Sequence, residues 1–379
     1  MNSSFAMKSS LRFFALIGLA LPLVAGARVL LVDQRPDAGA DYSSLTAAAA
    51  EVRPGDVIKI APGSGPYRET LYITTSGTLE APITVDGSGE ILTGAAPLVF
   101  QKSGDGWSCD LASYHTTAQP VQGFTKIDGR WTSKFNPSPL PFVIVHQGKR
   151  LRQERSTGQL IGPARLSDDR NTLVLAAGAS PEDWEISVRP YVVRTTGTTS
   201  HHRYHHIRAT GSLNDGFSLH GSSMGLVFED IEAFNNLDEG FSAHGTVNCT
   251  LVRGRFHDND NGLTNADQSF MKGSDIVCRD NLGFGFYLQT ATVEVENLDS
   301  AGNGIGQLVL HMGATLRAGR VTLASGGWRD NPWISSQESG QDVRAGVIMK
   351  GSRITVTGPE PIILGAANPR QRQSPQAKS

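Results

Sequence analysis

The chain has 379 residues with 34 basic and 36 acidic side chains, so net charge excludes a general nucleic-acid binder. Its 39% hydrophobic and 18% charged residues are enough for a packed core and exclude wholesale disorder. The 42 glycines are about 11% of the chain against a usual share of roughly 7%, and without a collagen period they indicate a chain that turns often.

Residues 1–27 read as a secretory signal. Lys8 and Arg12 give a positive start, an apolar run follows from Phe13 to Val24, and Ala25-Gly26-Ala27 supplies small residues for cleavage. The run is too short to span a bilayer, which needs roughly 20 residues. The expected location is therefore secreted or periplasmic, with no membrane attachment after cleavage. Cleavage leaves 32 basic against 36 acidic residues, a net charge of −4. Cys109, Cys249 and Cys278 lack a CxxC spacing, and are expected as small buried apolar residues.

Residues 28–96 form an amino-terminal cap and first coils. Ser44 to Val52 reads as a short amphipathic helix covering the open end of a sheet stack, where bare strand edges invite aggregation. Alternating strands follow at Val57–Ile60, Leu71–Ile73 and Pro82–Val85, punctuated by glycine and proline turns. Residues 97–190 carry Trp107, Trp131, Trp184 and several prolines, with candidate strands at Phe142–Val145 and Thr172–Leu175. They read as an all-β insertion, with irregular coils and long loops as the open alternative. A long loop around Trp328 and Trp333 is expected over 322–345, then strands at Arg353–Val356 and Ile362–Leu364. Residues 367–379, rich in Gln, Arg and Pro, are expected to be a disordered tail.

The main body, 191–366, repeats. Gly216, Gly240, Gly262, Gly285 and Gly306 head similar short segments at spacings of 24, 22, 23 and 21 residues. Asn- and Asp-rich turns precede them, including Asn235-Asn236-Leu237-Asp238-Glu239 and His257-Asp258-Asn259-Asp260-Asn261. A period near 22 with short alternating strands suits a solenoid, whose coils bury an apolar face only by stacking. The fold class predicted is all-β, a right-handed parallel β-helix.

Strand alternation then assigns faces. Phe217, Leu219, Phe241 and Ala243 should point inward, and Ser218, His220, Ser242 and His244 outward. Like positions in adjacent coils sit about 4.8 Å apart, so His220 should lie over His244, and Ser218, Ser242, Thr264 and Tyr287 should form a neighbouring column. Asp215, Asp238, Glu239 and Asp260 make an acidic column at the preceding turns. Stacked carboxylates need a hard cation such as Ca²⁺, or shared protons with raised pKa values. The plainer alternative is that these acids cap solvated turns. Lys272, Arg253, Arg255 and Arg279 lie in the same coils and are candidates for a base or for holding an acidic substrate, the alternative being solvated surface charge. The run His201-His202-Arg203-Tyr204-His205-His206 reads as a strand with alternate residues exposed, metal binding being the other option.

At these turns the sequence resembles pectate lyases of the ninth polysaccharide lyase family. The motifs are Asn214-Asp215-Gly216-Phe217 and, one coil later, Asn235-Asn236-Leu237-Asp238-Glu239-Gly240-Phe241. The resemblance covers roughly residues 205–290 and implies Asp215, Asp238 and Glu239 as calcium ligands. It departs at Ser242, where the family has a further acid, and at the family's base lysine, which has no match in Gly262-Leu263-Thr264 or Gly285-Phe286-Tyr287. His220, His244 or Lys272 would then have to be the base, with Arg253, Arg279 and Tyr287 contacting substrate. The expected function is a secreted, monomeric polysaccharide lyase acting by β-elimination on a uronic-acid glycan. A glycoside hydrolase using Asp215 with Asp238 or Glu239, and a non-catalytic sugar-binding protein with exposed tryptophans as stacking platforms, are the alternatives.

Overall fold

The computed structural model describes residues 26–115, 124–127, 130–133, 140–154, 159–324, 343–344, 347–349, 351–358 and 362–364. The proposed signal core, the loop around Trp328 and Trp333, and the carboxy-terminal tail lie outside the described residues.

Two parallel sheets carry the chain. The fourteen-stranded sheet runs through Val57–Ile60, Ile83–Asp86, His202–His205, Leu226–Phe234, Asn248–His257, Phe270–Ser274, Thr292–Ala301 and Thr315–Ala324. The nine-stranded sheet runs through Leu71–Tyr72, Val193–Thr195, Phe217–Leu219, Glu239–Ala243, Asn261–Asn265, Phe284–Gln289, Gly306–His311 and Val347–Met349. Each coil of the main body gives strands to both sheets, which makes the fold a parallel β-helix, as the repeat predicts. Phe217 pairs with Phe241, Phe241 with Leu263, Leu263 with Phe286, and Phe286 with Leu308. These inward residues, with Phe228 and Phe256, form the buried core.

The helix Leu45–Glu51 is where the sequence places it. Ser44 caps it by accepting from the Ala47 amide, and the Glu69 carboxylate accepts from the Leu45 and Thr46 amides at 2.9 Å. Leu45, Ala48 and Ala49 are its buried side. The histidine run is a strand, His202–His205. His202 is buried, with one ring nitrogen 2.9 Å from the Tyr204 hydroxyl and the other 2.7 Å from the Thr75 carbonyl, so neither is left for a metal. All three cysteines are free and buried.

The region between the early and main coils is antiparallel, unlike the solenoid. Ala95–Pro97 leaves the coils and Trp184–Ser187 returns beside it as an antiparallel partner. A second small sheet joins Gln101–Ser103, Gly106–Asp110, Thr172–Leu175 and Ala164–Leu166. This unit has its own core of Leu111, Leu140, Phe142, Leu173, Trp184 and Ile186. Trp184 is therefore a core residue rather than a sugar platform, and Trp107 is half-buried beside it. The unit grips the solenoid through Arg150, whose guanidinium meets the Asp260 carboxylate at 2.5 Å and the Asn236 carbonyl at 2.8 Å. Asn235 returns a bond from its amide to the Gly148 carbonyl at 3.0 Å.

The turns before the glycines hold a ladder of buried asparagines: Asn236, Asn259, Asn281 and Asn303. The side-chain oxygens of Asn259, Asn281 and Asn303 accept from the backbone and side-chain amides of the asparagine one coil earlier, as Asn259 does from Asn236 at 3.0 and 2.9 Å, and Asn236 starts the ladder by accepting from the Ser212 amide and hydroxyl. Each side-chain amide also donates to a carbonyl at the end of the preceding strand, Asn259 to Ala233 at 3.0 Å. The ladder explains the glycine period. A Cβ on Gly216, Gly240, Gly262 or Gly285 would stand 2.4 to 2.9 Å from the amide nitrogen of the corresponding asparagine. The fifth glycine of the period is out of step. Gly306 pairs with Phe284, and Gln307 takes the place opposite Gly285 and ends the ladder by accepting from Asn303 at 2.7 Å.

Asn259→Ala removes an acceptor from two buried Asn236 donors and a donor from the Ala233 carbonyl. Unpaired buried groups cost about 1–3 kcal/mol, so a loss of about 2–3 kcal/mol is expected in urea unfolding. A loss below about 0.5 kcal/mol would mean that water replaces the rung.

Candidate functional site

The turns that lead into two successive strands of the nine-stranded sheet, Phe217–Leu219 and Glu239–Ala243, carry the acids Asp215, Asp238 and Glu239. Asp215 and Glu239 head successive strands in register, since Gly216 donates to the Glu239 carbonyl and Phe217 pairs with Phe241. Asp238 lies one residue before Glu239. The structure brings these three together: one carboxylate oxygen from each lies within 4.8 Å of the others. Asp215 is 1% exposed, and its Oδ1 has no hydrogen-bond partner. Asp238 and Glu239 are half-buried, and Thr264 Oγ1 donates to Glu239 Oε1 at 3.1 Å.

Burial followed by the Asp238 charge pushes the Asp215 carboxyl up to about 7. Burial also raises Asp238 and Glu239 well above the carboxylate range, with Glu239 and Asp215 respectively adding repulsion. Three such groups cannot all be ionised at neutral pH unless a cation joins them. The donor set is hard oxygen, it is recessed, and its buried Asp215 Oδ1 lacks a hydrogen-bond partner among the described residues. These residues fit a divalent cation of the calcium kind, which takes six to eight oxygens.

Asp260 does not join them. Its carboxylate is fully buried against Arg150, so the insertion neutralises the acid that the sequence places in the metal set. The insertion is what the sequence could not align with that turn.

Beyond the triad, the outward columns of the sheet are as alternation predicts. Ser218, Ser242 and Thr264 are in register, and Tyr287 continues the column. All four are buried despite facing away from the core, which makes the site a recess. Tyr287 donates to the Gln289 side chain at 3.0 Å and stacks on Phe284. Two residues along, His220 lies on His244 with ring centroids 4.7 Å apart and planes within 1°. His244 Nε2 is 3.0 Å from Ser242 Oγ, and its Nδ1 is 3.6 Å from the Asp267 carboxylate. Burial first, and then the neighbouring His244 and Arg194, push His220 down to about 4. Burial lowers His244 too, opposed by Asp267. Both imidazoles are therefore neutral at pH 7.

Three candidates from the sequence lie elsewhere. Lys272, Arg253 and Arg279 all belong to the fourteen-stranded sheet. Lys272 is exposed there over the Phe270 ring, 5.9 Å from its centroid, and cannot be the base beside the acidic triad. Arg253 is held by Glu229 and Asp230, and lines a groove of about 540 Å³ with Arg208, Glu232, Arg255 and Asp275. Arg279 pairs with Asp299 at 2.8 Å. Strand alternation gives the face but not the sheet, and the sheet separates these cations from the triad. Arg194, Tyr72, Tyr191 and Asp267 were missed for the opposite reason. They come from coils or turns without the glycine motif, and only register brings Arg194 beside Ser218.

No family model and no curated protein matches the chain. Among solved structures, the chain is similar to XylC in its complex with xylose, at 10% identity and a TM-score of 0.48 over 79% of this chain and 69% of that one. It is also similar to the pectate lyase Pel9A, at 13% identity and a TM-score of 0.47 over 90% of this chain and 80% of that one.

Proposed function

We propose that the protein is an exported carbohydrate-active enzyme that cleaves a uronic-acid polysaccharide by β-elimination. The observation that carries this reading is the recessed carboxylate triad with an unpartnered buried oxygen, set on the same sheet face as two neutral imidazoles. Asp215, Asp238 and Glu239 would hold a calcium ion, which would draw charge from the sugar carboxylate and so acidify the adjacent C–H. His244 is the stronger base of the pair, because Asp267 supports its protonated form while His220 is pushed down to about 4. His244 takes the proton α to the carboxylate, the released electron pair forms the ring double bond, and the glycosidic C–O bond breaks with water protonating the leaving oxygen. Ser242 and Asp267 hold the imidazole in place.

The hydrolase reading would use Asp215 with Asp238 or Glu239 as its carboxylate pair and would need no metal. Paired carboxylates in glycosidases stand about 5–5.5 Å or about 6.5–9.5 Å apart to leave room for the sugar or for water.

The test is a digestion panel of pectate, alginate, glycosaminoglycans and neutral glycans, each with calcium and with chelator. The expected result is calcium-dependent ultraviolet absorbance from an unsaturated uronide. New reducing ends without absorbance would establish hydrolysis instead. Binding without turnover would establish the non-catalytic reading. His244→Ala should lower kcat/KM by about 10²–10⁴-fold, the range for a general base. The wild-type profile should lose activity on the acid side, at a pH below the ordinary imidazole value of 6.5 because burial lowers His244. An unchanged profile in His244→Ala would remove this residue from the base role.

A further inference from the structure

Arg194 stands one coil before Ser218 in the outward column that leads past the triad. Its neighbour on the other side in the same register is Tyr72, and Tyr191 lies three residues earlier on its own chain. The guanidinium carbon lies 5.3 Å from the centroid of the Tyr72 ring and 5.3 Å from that of Tyr191. Tyr72 is exposed, whereas Tyr191 and Arg194 are half-buried. The position is well fixed. Val193 pairs with both Leu71 and Phe217, and the Tyr191 carbonyl accepts from Thr70 Oγ1 at 2.7 Å.

Among the described residues, Arg194 has no carboxylate partner. This sets it apart from Arg208, Arg253, Arg279 and Arg317, each of which pairs with an acid on the fourteen-stranded sheet. Its charge is felt at His220, whose protonated form it disfavours. A half-buried guanidinium between aromatic faces has its apolar surfaces covered and its N–H fork left open, which suits a planar carboxylate taken through two bonds. The exposed Tyr72 ring beside it offers an apolar face to a sugar ring.

Register sets the spacing. Tyr191 precedes Asp215 by one coil, because Val192 donates to the Asp215 carbonyl and Val193 pairs with Phe217. A coil step is about 4.8 Å, so Arg194 stands one step up the solenoid axis from Ser218 and two from Ser242, which touches His244, while Asp215 lies three residues before Ser218 in the chain. A polysaccharide running along that file would meet the guanidinium and then the His220–His244 pair.

We propose that Arg194, with Tyr72 and Tyr191, forms a second carboxylate-binding subsite that takes the uronate next to the reacting one, so that the enzyme requires adjacent uronates. This rests on the lyase reading and extends it: runs of acidic sugars are substrates, and acidic sugars isolated between neutral ones are poor ones.

The test is calorimetric binding by the full chain of the trisaccharides of galacturonate, mannuronate and guluronate, each with its carboxyl-reduced counterpart, in calcium and in chelator. Wild type, Arg194→Gln and Arg194→Lys are compared, with thermal unfolding as the check on folding. Arg194→Gln should weaken binding of the preferred triuronate by about 10- to 100-fold, the scale of a charge-assisted hydrogen bond, and leave the neutral counterpart unchanged. Arg194→Lys keeps the charge and loses the fork, so it should fall between. Equal triuronate affinity in all three proteins would reduce Arg194 to a packing residue while leaving the lyase reading intact. Failure of the wild type to bind any triuronate, with or without calcium, would overturn the lyase reading and this subsite together.

Discussion

Asp215→Asn should abolish calcium-dependent turnover and, in chelator, make the protein more stable than wild type above neutral pH. Both effects come from the same crowding. In the folded chain the Asp215 carboxyl keeps its proton up to about 7, against an ordinary value of 3.8. Between those values the folded state binds more protons than the unfolded state, so folding is favoured by low pH. The contribution is fully present below pH 3.8 and is lost as pH rises through about 7. It corresponds to roughly 4 kcal/mol at most, taking about 1.4 kcal/mol for each tenfold change in proton affinity. Asp238 and Glu239 are raised as well, and extend the loss to higher pH. Asparagine is neutral at every pH, so the stability gap between Asp215→Asn and wild type should widen in favour of the variant from pH 4 to pH 8. Calcium should close that gap by stabilising wild type alone. The loss of turnover should be at least about 10³-fold, since a bound cation supplies several kcal/mol to a developing charge. Identical melting curves in calcium and chelator would show that the triad holds no cation. Turnover within tenfold of wild type would remove Asp215 from the chemistry.

Arg150→Ala should cost about 3–5 kcal/mol, the largest stability effect of any single change considered. The Asp260 carboxylate is fully buried, and the Arg150 side chain is 4% exposed. Removing the cation strands a charge that water cannot reach, and also strips the Asn236 carbonyl of a donor. The pair itself need not be stabilising, because desolvating both ions offsets most of their attraction. The double variant Arg150→Met with Asp260→Asn should therefore recover most of the loss in urea unfolding. Failure to recover would mean that the pair contributes net attraction, and a loss below 1 kcal/mol in the single variant would show that the insertion lets water in. Because Asp260 repels Asp238, the single variant should also shift the pH response of the triad.

The solenoid was legible because its period is enforced by contact. Gly216, Gly240, Gly262 and Gly285 recur because an asparagine amide fills the space of their side chains, so the sequence displays the spacing without displaying the cause. The aromatic alternation at Phe217 and Phe241 is equally direct, as is the stacking of His220 on His244. Gly306 shows the limit: a glycine near the period drew the eye one residue from the true register, which Gln307 occupies. The triad was legible for the same reason as the coils, since Asp215 and Glu239 are held in register by hydrogen bonds. Asp260 was assigned to the metal set because nothing in the sequence announces that Arg150, 110 residues away, reaches its carboxylate. The misplaced cations Lys272, Arg253 and Arg279 share a cause. A coil of this length passes through more than one sheet, and residues close in sequence leave on different sides of the solenoid.

Because the ladder and the strand register tie each coil only to its neighbours, the outer face of the nine-stranded sheet is assembled one residue per coil. Arg194, Ser218, Ser242, Thr264 and Tyr287 occupy a single file contributed by five separate coils. Changing one of them alters one position along the axis and leaves the geometry of the others in place. Duplicating a whole coil, asparagine and glycine included, would lengthen that file by about 4.8 Å without reshaping it. The reach of the protein along an extended polymer is thus set by the number of coils, and its selectivity at each point by a single side chain, so that length and chemistry can vary independently in descendants of the same fold.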